Sequence, residues 1–239
     1  FLAVLLLHRL PLGWSVKKTN LLLASYVFYA AWNPPFVLLL AFSTGVDWFL
    51  ARAIGRTKDL RRRKALVVAS LGVNLGLLGF FKYGGFALET FQQGLAMLGI
   101  DFQPAAPSIV LPVGISFYTF QTLSYTLDVY RGNLRPSRSF LDYALFVSFF
   151  PQLVAGPIVR AKLFLPQCEE PRSANAGQLG WGFTLIALGL FAKVILADSF
   201  LAPVADTVFG ASDTAGFVMA WVGTLAFSGQ IFFDFSGYS

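Results

Sequence analysis

Residues 36–81 read FVLLLAFSTGVDWFLARAIGRTKDLRRRKALVVASLGVNLGLLGFF, and this stretch decides the fold. Apolar residues fill 36–54 and again 65–81, and each run approaches the roughly 20 residues that a helix needs to cross a membrane. A basic cluster with a single acidic residue, Asp59, lies between the runs; it consists of Arg52, Arg56, Lys58, Arg61, Arg62, Arg63 and Lys64. The pattern predicts two transmembrane helices joined by a short loop, which the positive-inside rule places in the cytoplasm.

The rest of the chain has the same apolar character. Of its 239 residues 56% are hydrophobic and 13% are charged, whereas roughly a quarter of the residues in a soluble domain are charged. The 26 Phe, 5 Trp and 8 Tyr suit the lipid-facing and interfacial positions of many spans. We therefore expect one all-α membrane domain over residues 1–239, a polytopic transmembrane helical bundle. A topology signal explains the net charge of +6 better than a nucleic-acid partner does.

About seven to eight apolar segments make up the predicted bundle. They cover residues 1–10, 20–32, 36–54, 65–81, 109–130, 140–159, 179–197 and 215–238. The second is short, so we expect it to be tilted or joined tightly to the third through Asn33, Pro34 and Pro35. Because the first and last apolar runs meet the ends of the chain, we expect the N-terminal part of a longer chain, truncated at both ends.

One of these segments does not look like a simple crossing. Residues 140–159 have basic residues on both sides and are interrupted by Pro151 and by the pair Gly156 and Pro157. These features favour a re-entrant or broken helix that starts and ends on the cytoplasmic side. Segment 179–197 then runs outward, an acidic loop with Asp198, Asp206 and Asp213 lies outside, and the last segment returns inward.

Residues 88–98 show an amphipathic pattern between the fourth and fifth segments. Leu88, Phe91, Leu95 and Leu98 recur at helical spacing, while Glu89, Gln92 and Gln93 occupy the other side. The pattern predicts an amphipathic helix in the outer interface.

Two apolar segments carry polar stripes. Tyr118, Gln121, Thr122, Tyr125 and Asp128 share one helical face, and Gln230, Asp234 and Tyr238 share another. The two faces suggest a common internal cavity. Hydrogen bonding between helices, worth about 0.6 kcal/mol per contact, is the alternative and is favoured for Gln121 and Thr122 taken alone. Asp128 can form an interfacial ion pair with Arg131.

The remaining chemically active side chains are interpreted as structural. Asp47 lies one turn from Arg52, and we expect Lys193 to lie near a helix end and to extend to the interface. His8 is the only histidine and is expected at the interface, while the single cysteine, Cys168, excludes an intrachain disulfide and a multi-cysteine metal site. No recognisable catalytic constellation or metal-binding motif occurs within the chain.

Several long motifs resemble a known family. They are LLLASYVFYAAW (21–32), FKYGGF (81–86), LPVGISFYTFQTLSYTLDVYRG (111–132), FVSFFPQLVAGPIVR (146–160) and QIFFDFSGYS (230–239). In their order and their amino-acid sequences they resemble the membrane-bound O-acyltransferase family. Within it they are most similar to the bacterial branch that contains the alginate O-acetylation membrane protein. The resemblance is more distant to the D-alanyl transfer protein of teichoic acid synthesis.

The resemblance implies a multi-helix bundle in the bacterial inner membrane, thinned in its middle into a tunnel. It implies an acyl thioester donor, acetyl-CoA or an acyl carrier protein, with no bound cofactor, and a hydroxyl acceptor on an exported polysaccharide. Membrane lipid and an extracytoplasmic acetyltransferase or export machinery are the implied partners. The family's catalytic histidine is expected beyond Ser239. The two polar stripes and the broken segment with Gln152 are expected to line or support the tunnel.

Two other classes of function fit the residues themselves. A transporter or flippase for a polar or lipid-linked substrate also uses broken helices and buried polar faces. A scaffold of hydrogen-bonded helices is the third possibility. A membrane-embedded histidine downstream would favour the acyltransferase, whereas a second set of similar spans would favour the transporter.

Overall fold

The computed structural model describes residues 2–100, 102, 110–153, 156, 158–171, 173–211 and 216–239. All regular secondary structure in these residues is helical. They fall into two compact units: the first takes the described residues up to 153 together with 158–171, and the second takes the rest. The prediction of an all-α, helical membrane protein is confirmed; the single membrane domain over residues 1–239 stays a prediction.

The described residues of the first unit form eight helices. They are α1 (Leu2–Arg9), α2 (Trp14–Ala30), α3 (Pro35–Arg56), α4 (Leu60–Met97), α5 (Ile115–Arg131), α6 (Phe140–Ser148), α7 (Phe150–Leu153) and α8 (Ala161–Glu169). Helices α3 and α4 are long and apolar enough to cross a membrane. They are the two helices predicted on either side of the basic loop, and Asp59 caps α4 by accepting a hydrogen bond from the backbone N–H of Arg61 at 2.9 Å.

The connection between α2 and α3 is tight, as predicted. It consists of residues 31–34, and Pro35 is the first residue of α3. Proline fits there because its fixed φ suits the first turn of a helix and its missing N–H would have no intrahelical partner.

Helix α4 differs from the sequence prediction in its length. The amphipathic residues 88–98 are helical up to Met97, but they continue α4 instead of forming a separate helix. No proline interrupts the segment, and Gly84 and Gly85 weaken a helix without ending it. A helix of 38 residues is about 57 Å long, far more than the roughly 30 Å of the hydrocarbon core. The position of residues 88–98 in the interface stays a prediction.

The broken segment is confirmed as far as Leu153. Helix α6 ends at Ser148, Phe149 is not helical, and α7 begins at Phe150. Val154, Ala155 and Pro157 lie outside the described residues.

The core of the first unit lies among α2, α3, α5 and α6. Its largest fully buried side chains include Leu40, Ile54, Tyr125, Tyr143 and Phe146. The outward faces of the same helices are apolar and exposed, for example at Leu38 and Phe42 of α3. Such faces suit contact with lipid.

The second unit contains α9 (Ala176–Leu190), a π-helix (Phe191–Leu201), α10 (Ala202–Phe209) and α11 (Phe217–Tyr238). The first three form one helical run, Ala176–Phe209, and both this run and α11 are long and apolar enough to cross a membrane. Asn175 and Gln178 form a capping box at the start of α9.

Two expectations for this unit are wrong. Asp198 and Asp206 lie within the helical run and not in an outer loop, while Asp213 lies outside the described residues. Lys193 accordingly does not lie near a helix end. The run continues through Asp198 because residues 190–202 contain neither glycine nor proline, and Pro203 is tolerated in the first turn of α10.

Candidate functional site

The polar stripe of α5 faces the interior of the first unit. Tyr118, Gln121, Thr122 and Tyr125 are all buried, whereas Asp128 is half-buried near the C-terminal end of the helix. Helix α5 begins and ends at glycines in the left-handed conformation, Gly114 and Gly132, with φ of 75° and 79°. The periodicity of the sequence therefore identified a buried helical face correctly.

Gln121 and Gln152 come together at the break between α6 and α7. The side-chain amide of Gln121 donates a hydrogen bond to the carbonyl oxygen of Phe146 at 2.8 Å, and that of Gln152 donates to the same oxygen at 2.9 Å. In a continuous helix this carbonyl would accept from the N–H of Phe150. That N–H instead donates to the hydroxyl of Ser25 on α2 at 3.2 Å. Three side chains thus satisfy the Phe146 carbonyl and the Phe150 N–H, two backbone groups that the break separates.

A fully buried carboxylate, Asp47, joins three helices. It accepts hydrogen bonds from the hydroxyl of Ser70 at 2.6 Å and from the side-chain amide of Asn74 at 2.8 and 2.9 Å. The hydroxyl of Thr122 on α5 donates to the amide oxygen of Asn74 at 3.3 Å. Arg52 is not its partner and stacks over the ring of Trp48, with 4.5 Å from the guanidinium carbon to the ring centroid. The Asp47 network therefore links α3, α4 and α5.

The tyrosines of the stripe differ in their hydrogen bonding. The hydroxyl of Tyr125 accepts a hydrogen bond from the backbone N–H of Ser137 at 2.9 Å, and its ring lies 4.6 Å from that of Tyr143. The hydroxyl groups of Tyr118 and Tyr143 are buried and have no hydrogen-bond partner among the described residues. Tyr125 therefore binds the loop after α5, whereas the hydroxyl groups of Tyr118 and Tyr143 lie in the core without a hydrogen-bond partner among the described residues.

The expected ion pair between Asp128 and Arg131 does not form. No cation lies within 4.0 Å of the Asp128 carboxylate in the part of the chain that the structure describes. Its side chain is 3.5 Å from the amide nitrogen of Asn133, and its backbone carbonyl accepts from the N–H groups of Asn133 and Leu134. Asp128 thus lies at the C-terminal end of α5, where its backbone carbonyl accepts the N–H groups of the two residues that follow Gly132.

In the second unit, the polar face of α11 meets a lysine that the sequence did not assign to it. Lys193 Nζ lies 2.5 Å from an Asp234 carboxylate oxygen and 2.8 Å from one of Asp198. It also lies 5.7 Å from the ring centroid of Tyr238. Gln230 and Asp234 are half-buried and Tyr238 is exposed. One lysine therefore connects two carboxylates and an aromatic ring.

The π-helix explains how Lys193 and Asp198 reach the same face. In a π-helix the hydrogen bonds connect residues i and i+5, and these two residues have that spacing. In an α-helix residues five apart diverge by well over a quarter turn. The hydroxyl of Ser199 bonds the carbonyl of Val194, again five residues away, at 2.7 Å. π-Helical segments are rare and often occur at functional sites.

Close backbone contact holds this cluster in place. A Cβ added to Gly189 would lie 2.5 Å from the carbonyl oxygen of Gly237, and one added to Gly237 would lie 2.7 Å from that of Gly189. The glycines therefore allow α9 and α11 to approach closely beside the Lys193 cluster.

His8 and Cys168 have structural surroundings. His8 packs edge-on against Trp14, with 5.8 Å between the ring centroids. Cys168 is buried, and its carbonyl oxygen accepts hydrogen bonds from Trp14 at 2.7 Å and from Lys18 at 3.1 Å. Lys18 is itself buried and paired with Asp142. Burial, together with the negative charge of Asp142, raises the pKa of the Cys168 thiol to about 11.

The predicted site residues thus form two groups, one in each unit. The tunnel-lining or supporting roles of these residues stay predictions. Among the described residues, no group of three or more His, Cys, Asp and Glu could hold a metal ion.

Sequence reasoning missed Ser70, Asn74 and the partner of Lys193. Ser70 and Asn74 have a spacing of i, i+4 in an apolar segment, so they share one helical face and could have been recognised as a third polar stripe. The pairing of Lys193 with Asp234 had no comparable local signal.

Comparison with known proteins gives a consistent result. The model of the MBOAT, or membrane-bound O-acyltransferase, family matches residues 133–239. The chain is 41% identical to the probable alginate O-acetylase AlgI of Azotobacter vinelandii, over 93% of the chain and 44% of that protein. It is 35% identical to the peptidoglycan O-acetyltransferase of Helicobacter pylori, over 100% of the chain and 49% of that protein.

A more distant similarity is to the teichoic acid D-alanyltransferase of Lacticaseibacillus rhamnosus. Identity is 30%, over 55% of the chain and 35% of that protein. The chain spans less than half the length of each of these relatives.

Proposed function

Because the chain belongs to the membrane-bound O-acyltransferase family, we propose that the full-length protein that carries it is an O-acetyltransferase. It transfers an acetyl group from a thioester on the cytoplasmic side of a bacterial inner membrane towards a hydroxyl group of an exported polysaccharide. The observation that carries this proposal is the 41% identity, over 93% of the chain, to a probable alginate O-acetylase. The peptidoglycan O-acetyltransferase relative supports a polysaccharide acceptor.

The proposed reaction requires a base. The acceptor hydroxyl attacks the thioester carbonyl carbon, a C–O bond forms and the C–S bond breaks. The hydroxyl proton passes first to the base and then to the departing thiolate. An alcohol is a weak nucleophile until a neutral imidazole accepts its proton. The histidine that does this is expected downstream of Ser239. His8 does not match this histidine, since the family resemblance places the catalytic histidine in a later segment.

The first unit contributes the wall of the acyl path in this proposal. Gln121 and Gln152 stabilise the break between α6 and α7, which lets an irregular backbone persist at membrane depth. The Asp47 network fixes α5 against α3 and α4, so that Tyr118 and Tyr125 keep their positions. A dry, fixed wall protects an activated acyl group from hydrolysis.

The second unit carries a polar face of its own. Gln230, Asp234 and Tyr238 keep the lining or supporting role that the family resemblance implies for them. Lys193 is a positioning residue, because its ammonium group holds the Asp234 carboxylate and lies over the ring of Tyr238.

The donor can be identified with inside-out membrane vesicles that contain the full-length protein. Radiolabelled acetyl-CoA and an acyl carrier protein loaded with a labelled acetyl group are supplied separately to the exposed cytoplasmic face. Acetyl ester on the polysaccharide acceptor is measured. The proposed partner, an extracytoplasmic acetyltransferase or the export machinery, is enclosed in the vesicle lumen together with the acceptor. We expect one donor to label the acceptor. Labelling from neither, with vesicles that still contain the folded protein and its partner, contradicts the proposal.

A further inference from the structure

Two segments at one end of the first unit carry a concentrated positive charge. The first is the connection between α3 and α4 together with the adjoining ends of both helices, and the second is the C-terminal end of α5 together with the loop after it. Their exposed cations, which we name the basic surface, are Arg56, Lys58, Arg61, Arg62, Lys64, Arg131, Arg135 and Arg138.

Direct contacts hold the two segments side by side. A Cβ added to Gly55 would lie 2.6 Å from the ring of Pro136, so the backbone of α3 touches the second segment. Arg63 donates a hydrogen bond to the backbone carbonyl of Tyr130, and its guanidinium carbon lies 5.3 Å from the centroid of the Tyr130 ring. Tyr125 accepts from the N–H of Ser137. The eight cations therefore belong to one surface of the folded chain and not to two independent loops.

The positive charge of this surface is almost unopposed within the protein. Of its eight cations only Arg62 has a carboxylate within 4.0 Å in the described ranges, and that pair with Asp59 spans 3.7 Å between exposed side chains. Asp59 already serves as the cap of α4. Exposed pairs of this kind contribute little, so the surface retains its capacity to bind an external anion.

The surface adjoins the lipid-facing exterior of the same helices. The side chains of Phe49 on α3 and Leu60 on α4 are each 66% exposed. Leu60 directly precedes Arg61, and Phe49 lies about two helical turns before Arg56. Trp48 packs between Arg52 and Phe140, and its ring centroid lies 5.4 Å from that of Phe140. Aromatic residues are enriched at membrane interfaces. An anion that meets both the cations and this apolar border must itself join a charged head to an apolar chain.

We infer that the basic surface binds the phosphate headgroups of anionic phospholipids of the cytoplasmic leaflet. Arginine guanidinium groups bind phosphate oxygens in a bidentate manner, and each Lys or Arg near an anionic membrane surface adds attraction. An acidic soluble protein or a soluble phosphate would use the cations but not the apolar border. This inference does not depend on the proposed acyl transfer.

The test uses the purified, delipidated full-length protein and native mass spectrometry. Short-chain phosphatidylglycerol and phosphatidylcholine are titrated separately, and the dissociation constant of each is measured. The variant R61Q/R62Q/K64Q removes three cations of the basic surface. The matched variant R9Q/R160Q/K162Q removes three exposed cations outside it.

We expect the unsubstituted protein to bind phosphatidylglycerol at least tenfold more tightly than phosphatidylcholine. Attraction near an anionic surface amounts to about fivefold in affinity per cation, so R61Q/R62Q/K64Q should lose at least tenfold in phosphatidylglycerol affinity. Its phosphatidylcholine affinity should not change, and the matched variant should stay within twofold. Raising the salt concentration should weaken the preference of the unsubstituted protein as well, which tests the inference without any variant.

Three results would overturn the inference. The first is equal affinity of the unsubstituted protein for the two lipids. The second is an equal loss in both triple variants, which would indicate a general charge effect. The third is displacement of phosphatidylglycerol by glycerol phosphate, coenzyme A or an acidic carrier protein at equal concentration, since the surface would then recognise a soluble anion and not a lipid.

Discussion

The carbonyl oxygen of Phe146 has two side-chain donors, and removing both should lower stability by more than the sum of removing each alone. It accepts hydrogen bonds from Gln121 and Gln152 at 2.8 and 2.9 Å, and Phe146 is fully buried. Replacing either glutamine by leucine removes one donor and leaves the other. Since hydrogen bonds between membrane helices average about 0.6 kcal/mol, each single variant should lose about that much stability.

The double variant Q121L/Q152L leaves the same carbonyl without a partner. A buried polar group that loses its last hydrogen bond costs about 1–3 kcal/mol in addition to the bonds themselves. The double variant should therefore lose about 2–4 kcal/mol, which exceeds the sum of the single losses by about 1–3 kcal/mol. This excess is larger than the roughly 0.3–0.5 kcal/mol within which independent sites add.

The assay is equilibrium unfolding of the purified full-length protein in mixed micelles with a rising mole fraction of denaturing detergent. Gln93 is exposed on α4 and provides the matched substitution Q93L, which should change stability little. The reasoning is refuted if the losses of Q121L and Q152L simply add in the double variant. It is also refuted if either single variant is as unstable as the double one.

Other substitutions test the remaining contacts. D47L should lower stability by about 2–5 kcal/mol, because it leaves the buried donors of Ser70 and Asn74 without their acceptor, and D47N should lose less; equal unfolding midpoints for both would contradict this. K193M should reduce acetyl transfer by the full-length protein more than it reduces stability, because it removes the cation that pairs with the Asp234 carboxylate. The double variant K193M/D234N should recover part of the lost acetyl transfer. No recovery would count against the pairing of Lys193 with Asp234. The pKa of the Cys168 thiol is raised to about 11. Cys168 should therefore react with maleimide at pH 7.5 at least tenfold more slowly than an exposed cysteine introduced by S173C, and its rate should increase as the pH rises. Similar rates for the two cysteines at pH 7.5 would be inconsistent with the burial of Cys168.

Local patterns in the sequence predicted the helices and their buried faces. The polar spacing from Tyr118 to Tyr125 identifies the inward face of α5, because side chains three and four apart share one side of a helix. Pro151 predicts the break beside Phe149 for an equally local reason, since proline lacks an N–H. The basic residues between Arg52 and Lys64 likewise locate the short connection between α3 and α4.

Contacts between helices could not be predicted in the same way. Asp47 and Asn74 are 27 residues apart, and their pairing depends on how α3 and α4 are rotated and shifted against each other. Lys193 and Asp234 likewise meet only because the π-helix and the close contact of Gly189 with Gly237 set the register. No local spacing records these relationships.

The full-length protein offers the most direct test of the proposed acyl transfer. The membrane-embedded histidine expected downstream of Ser239 is replaced by alanine, with H8A as the matched control, and acetyl ester on the exported polysaccharide is measured in cells lacking the native gene. We predict that the downstream substitution abolishes the acetyl ester, while H8A retains it at the level of the unsubstituted protein. Undiminished acetylation after removal of the downstream histidine would contradict it.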